Sequence, residues 1–160
     1  MDAGHVTTTV RTADEFRCAA GLFADFQREY DEPAPEVEEM AAHLARLVDG
    51  GDTAVLLAAD RAGDSPVGLA IVRFRTATWA DLVEAYLAEL YVAPAHRNRG
   101  LGRAFLTDVL DHCRARGARH VDLNTSEDDE AARHLYEDLG FDCHEGRGKG
   151  PLAIYYEKDL

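Results

Sequence analysis

Most of the chemistry legible in this chain lies between residues 87 and 102, Leu87-Ala88-Glu89-Leu90-Tyr91-Val92-Ala93-Pro94-Ala95-His96-Arg97-Asn98-Arg99-Gly100-Leu101-Gly102. An apolar, strand-like run enters a short basic loop, and the loop opens a helix. The first N–H groups of a helix have no intrahelical partner and stand at the positive end of its dipole, so such a junction suits phosphate. Glycines let the backbone come close to an anion, and successive N–H groups form a nest for it. No Gly-Lys-Ser/Thr is present, which excludes the nucleoside-triphosphate loop. Three residues after Gly102 stands Phe105 rather than glycine, which excludes the dinucleotide fingerprint. A tight turn with a convenient cap would use the same residues.

Proton-transfer groups flank this junction. Glu89 interrupts an apolar strand, and period-two alternation puts it on one face with Leu87 and Tyr91. Such a break in pattern suits a general base, and it equally suits a salt bridge to Arg73 or Arg75 on a neighbouring strand. Glu84 is its rival. Tyr136, on a later helix, offers a phenol as proton donor.

The surrounding elements follow from periodicity and turn chemistry. Residues 6–10 predict a strand, and helices are expected from Thr12 or Asp14 to about Tyr30 and over 36–48, with 31–35 breaking them. Strands are expected over 53–60, 67–75 and 82–92, a helix over 100–116, a strand over 121–124 and a helix over 129–139. Two closing strands, 141–144 and 152–158, would flank a glycine-rich turn. This order predicts an α/β (α+β) fold of one domain, residues 1–160: a mixed sheet of about seven strands with helices on both faces.

Two stretches together resemble the GNAT superfamily of N-acetyltransferases. Arg97-Asn98-Arg99-Gly100-Leu101-Gly102 is similar to its Gln/Arg-x-x-Gly-x-Gly/Ala signature, preceded by Leu90-Tyr91-Val92-Ala93-Pro94. Ala132-Arg133-His134-Leu135-Tyr136-Glu137-Asp138-Leu139-Gly140-Phe141 resembles its later motif, a helix carrying a tyrosine and ending in Gly-Phe. The resemblance covers nearly all of the chain and implies a centrally splayed sheet and acetyl-coenzyme A as cosubstrate. It implies that the backbone from Asn98 through Arg99, Gly100, Leu101, Gly102 and Arg103 cradles the pyrophosphate, with Arg97 adding charge. Leu90, Tyr91 and Val92 would border the pantetheine, with Asn124 a further contact. Tyr136 would protonate the departing thiolate. Acetyl would pass directly to a primary amine in a ternary complex. The family's later motif commonly carries Asn where Asp129 stands here.

Charge narrows the acceptor. Thirty acidic against 17 basic residues give a net −13, unsuited to nucleic acid or an anionic membrane. The charge is uneven. Residues 94–120 hold six arginines against Asp108 and Asp111, a local net +4 that suits an anionic cofactor. Residues 13–40 hold nine acids and two bases. The resemblance implies that this region walls the acceptor site, so Asp31 and Glu32, in the break between helices, are expected to draw a cationic amine such as a polyamine, aminoglycoside or amino-acid amine. A solvated acidic face is the alternative reading of the same charges. A peptide or lysine acetyltransferase and a non-catalytic coenzyme-A-binding module stay open, and a homodimer is allowed. Three cysteines without a CxxC pair and seven histidines without an HxxxH pair predict no metal. A start without a basic-then-apolar segment predicts a cytoplasmic protein.

Overall fold

Thr12 starts the first helix because its hydroxyl accepts from the Glu15 N–H at 3.3 Å while the Glu15 carboxylate accepts from the Thr12 N–H at 2.9 Å, a reciprocal capping box. In the computed structural model, which describes residues 4–160 apart from the side chain of residue 147, two compact units divide after Leu123.

The first unit runs β1 (Val6–Thr9), α1 (Ala13–Glu29), α2 (Val37–Asp49), β2 (Thr53–Ala59), β3 (Gly68–Thr76), β4 (Val83–Val92), a single 3₁₀ turn (Pro94–His96), α3 (Leu101–Ala115) and β5 (Ala118–Leu123). The sheet order is β1-β2-β3-β4-β5, antiparallel through β4, with β5 parallel to β4. A helix therefore has to cross between the last two strands, and α3 does so. β2 is buried along its whole length, as its apolar run demands when both faces are covered. One face carries Val55, Leu57, Leu69, Ile71 and Tyr91 beneath Phe16, Ala19 and Leu22 of α1 and Leu44 of α2. On the other face α3 packs so closely that a Cβ on Gly68 would meet Ala58 Cβ at 3.0 Å and the Phe105 ring at 3.2 Å. Gly68→Ala is therefore expected to lower unfolding stability by about 1–3 kcal/mol, an overpacking cost read from a shift of the urea midpoint at constant slope.

The second unit, Asn124–Leu160, holds α4 (Glu130–Asp138) and a short turn of helix, α5 (Glu145–Gly148). Asp129 caps α4 by accepting from the Ala132 N–H at 3.1 Å. That side-chain role suits the acid at the position where the family motif commonly has Asn.

The mixed sheet and the helices on both faces are as expected, but among the described residues the sheet has five strands rather than about seven. The expected strands over 141–144 and 152–158 reduce to one antiparallel bridge, His144 to Leu152, and an Ala153 N–H to Cys143 carbonyl bond of 2.9 Å. Asp142 accepts from the His144 N–H at 2.7 Å, which bends the first segment. Ile154, Tyr155 and Tyr156 of the second are largely exposed, so it lacks the buried face that holds a strand in a sheet. Among the described residues, no helix is long and apolar enough to cross a membrane.

Candidate active site

The loop before α3 turns back on itself through two residues with positive φ, Asn98 at 59° and Gly100 at 84°. Gly100 is the N-cap and offers no side-chain oxygen. A Cβ there would meet nothing within 4 Å, so the requirement for glycine lies in the backbone angle and leaves open space beside the helix start. The first bond closing the helix is from the Ala104 N–H to the Gly100 carbonyl. The N–H groups of Leu101 and Gly102, in the first turn, thus lack intrahelical acceptors. Asp60 braces the loop from the end of β2. Its carboxylate lies 2.5 Å from His96 Nδ1 and 3.0 Å from an Arg99 nitrogen. The same Arg99 nitrogen lies 2.9 Å from His96 Nδ1. Arg99 is still half exposed at 57%.

Arg97, expected to add charge for the pyrophosphate, is bonded within the protein. Its terminal nitrogens meet the two Glu29 oxygens at 2.6 and 2.7 Å, and its Nε donates to the Val92 carbonyl at 2.7 Å. The guanidinium also lies 5.6 Å from the Tyr91 ring centre. The arginine hydrogen bond pulls the Glu29 carboxyl below its usual range, and Glu29 holds Arg97 above its own.

A bulge decides where the carboxylates of β4 point. Ile71 pairs with Glu89 and Val72 with Leu87, so Ala88 is the extra residue. Paired residues share a face. Leu87 therefore faces the α3 side with Val72, while Glu89 and Tyr91 face the α1–α2 side with Ile71 and Leu69. This corrects the expectation that Leu87 and Glu89 share a face: period-two alternation fails across a bulge. The same shift brings Glu84 and Tyr86, opposite Arg75 and Arg73, onto the face of Glu89.

The bulge also marks the end of strand pairing. β5 pairs with β4 only through Leu87–Leu123, leaving Ala88–Val92 without a strand on that edge among the described residues. Glu89 is partly buried beside this free edge, and no hydrogen bond or ion pair reaches its carboxylate among the described residues. Burial raises its pKa to about 6. Glu84 is a different kind of group. It is buried and bonded to Arg75 at 3.1 Å, and Arg75 also reaches Asp122 at 2.9 Å. The arginine contact expected for Glu89 thus belongs to Glu84. Burial, followed by the Glu89 charge, raises the Tyr86 phenol. Tyr86, Glu29 and Asp60 carried no sequence signal because their roles depend on cross-strand and cross-loop neighbours.

The remaining site residues are placed as follows. Asp31 adopts φ 55° and takes the place of a glycine at the end of α1. Its N–H donates to the Arg28 carbonyl at 3.2 Å and that of Glu32 to Gln27 at 2.9 Å, a Schellman closure. Both side chains are exposed. Asn124 follows β5 directly and is exposed. In α4 the Tyr-to-Gly-Phe motif is a second Schellman closure. The Phe141 N–H donates to the Tyr136 carbonyl at 3.0 Å, Gly140 takes φ 89°, and the two rings meet edge-on at 5.7 Å. Asp142, Cys143 and His144 bring ligand-type atoms within 4.8 Å of one another on an exposed surface.

Comparison with known proteins gives the site its context. The family model for the acetyltransferase (GNAT) family matches residues 19–141. Mycothiol acetyltransferase of Clavibacter sepedonicus is 38% identical over 88% of this chain, which covers 41% of that protein. The chain spans less than half the length of the curated relatives it matches. A solved structure of a proposed acetyltransferase from Arthrobacter sp. FB24 is 35% identical, with a TM-score of 0.81 over 96% of this chain and 95% of that one. An aminoglycoside acetyltransferase from an uncultured soil sample shares the fold, with a TM-score of 0.76 over 99% of both chains at 16% identity. With the family model spanning both motifs and most of the sheet, the chain belongs to the GNAT acetyltransferase family.

Proposed function

We propose that this protein moves acetyl from acetyl-coenzyme A to the primary amine of a small cationic acceptor, by direct transfer with both molecules bound to one catalytic domain. The observation that carries this reading is Glu89: an unpaired, partly buried carboxylate of pKa about 6, beside the strand edge that β5 leaves open.

The cosubstrate supplies the activated acetyl group. The chain supplies binding and proton handling. N–H groups of Leu101, Gly102 and Arg103, with the half-exposed Arg99, suit a diphosphate, and the open space beside Gly100 admits it. The backbone edge that β5 does not reach, over Ala88–Val92, suits the amides of a pantetheine arm, as an added strand would, with the Val92 carbonyl already accepting from Arg97 Nε. A protonated amine cannot attack a carbonyl. The acceptor's ammonium proton passes to water, the neutral amine attacks, and Glu89, mostly ionised at pH 7, takes the second proton as the new C–N bond makes that N–H acidic. Tyr136 supplies a proton to the departing sulfur. Glu84, already bonded to Arg75, holds the sheet face together.

Acidic residues around the α1–α2 link, Asp31 and Glu32 among them, favour a cationic acceptor, and relatives named for mycothiol and aminoglycosides support a small-molecule one. The test is a screen of polyamines, aminoglycosides and amino-acid amines that detects released thiol. Turnover with at least one amine class is expected. For a polycationic acceptor, kcat/KM should fall steeply as salt rises from low ionic strength. Acetyl-coenzyme A hydrolysis that no amine accelerates would overturn the reading in favour of a coenzyme-A-binding module.

A further inference from the structure

We infer that Arg97 is a positioning residue: through Glu29 it latches the end of α1, where the acceptor-side link begins, to the end of β4, and it does not bind the diphosphate of coenzyme A. This rests on the cofactor reading above, because it assigns one member of the loop signature to a different task.

The geometry is specific. An arginine fork binds a carboxylate best through two parallel bonds, and Arg97 does so with Glu29 at 2.6 and 2.7 Å. Its remaining inward donor, Nε, is spent on the Val92 carbonyl at 2.7 Å. The plane rests against Tyr91, Tyr91 stacks on Phe26 with ring centres 5.3 Å apart, and Tyr30 meets Phe26 edge-on at 5.2 Å. One column therefore joins β4 to the last turn of α1. Immediately beyond it, Asp31 takes the positive φ that starts the 30–36 link. A diphosphate that took Arg97 as its counter-charge would compete with Glu29 for the guanidinium and loosen this column. Arg99, half exposed and braced by Asp60, is a cation placed at the same loop for the anion.

The two roles make opposite predictions for Glu29. If Arg97 were a phosphate ligand masked by Glu29, Glu29→Gln would release it and coenzyme A would bind more tightly. If the pair is a latch, Glu29→Gln leaves that affinity alone and frees the link. The experiment is calorimetric titration of coenzyme A into the full chain and the variants Glu29→Gln, Arg97→Gln and the double variant. Backbone hydrogen exchange over residues 30–36 is followed in the same four proteins. The expected result is a dissociation constant within about twofold of the parent in all three variants. Exchange in the link should rise about tenfold or more in each single variant, with no further rise in the double variant.

A tenfold weaker dissociation constant in Arg97→Gln, or a tighter one in Glu29→Gln, would overturn the inference. So would additive exchange effects or exchange unchanged by either substitution. If the parent protein itself fails to bind coenzyme A, the cofactor reading falls instead, and exchange alone then decides whether the latch exists. Thermal midpoints of the four proteins guard against global unfolding, since a latch changes the link and not the sheet.

Discussion

Glu89→Gln is expected to lower kcat/KM at pH 7 by about 10²–10⁴-fold, the range that a positioned general base contributes. The parent enzyme should show an acidic limb in its pH–rate profile, rising to a plateau through pH about 6, because Glu89 acts only when ionised and burial holds its pKa there. The variant should lose that limb. Glu84→Gln should keep it, since Glu84 is bonded to Arg75 and its loss disturbs the sheet face without removing the base. An intact limb near pH 6 in Glu89→Gln would remove Glu89 from the mechanism.

The same group carries a stability signature of opposite sign. Its folded pKa lies above the usual 4.5, so the folded chain binds more protons than the unfolded one between pH about 4.5 and 6, and stability from this group falls as pH rises through that window. At pH 7 Glu89→Gln is therefore expected to unfold at a higher temperature than the parent while being far slower. That pairing of lost rate with gained stability is what a carboxylate kept buried for chemistry should give.

Tyr136→Phe is expected to lower kcat by about 10²-fold while the dissociation constant for acetyl-coenzyme A stays within about twofold. Tyr136 closes the end of α4 with its backbone carbonyl and packs on Phe141 with its ring, and phenylalanine keeps both. What it removes is the hydroxyl. Stopped-flow thiol release with saturating acceptor reads kcat, and calorimetry reads binding. An unchanged kcat would leave Tyr136 a structural residue of the helix end.

The basic loop, the glycine before α3 and the strand–helix crossover were legible in the sequence because each is local: composition and spacing within a few residues determine it. Four strands and four helices likewise fall close to their expected bounds, while the fifth strand starts three residues early, directly after Gly117 turns the chain out of α3. The bulge at Ala88 was not legible. It depends on how β3 and β4 align, and one extra residue turns Glu89 to the opposite face from Leu87. The partners of Arg75 and Arg97 were hidden for the same reason, since Glu84 and Glu29 meet them only after the sheet and α1 have formed. Asp31 shows the converse case. An exposed acid in a helix break reads as a substrate contact, yet its backbone already has the task of ending α1. The last two expected strands failed because the apolar run at 152–156 specifies a strand only where a partner covers one face.

On the function proposed above, the N-terminus of α3 and the edge of β4 that β5 leaves unpaired form one cosubstrate site with Glu89 beside it. A crystal structure of the complex with coenzyme A tests it most directly. Diphosphate oxygens are expected within hydrogen-bond reach of the N–H groups of Leu101, Gly102 and Arg103, and the pantetheine arm alongside Ala88–Val92. A diphosphate bound away from the start of α3, or a pantetheine arm that leaves the edge of β4 bare, would contradict it.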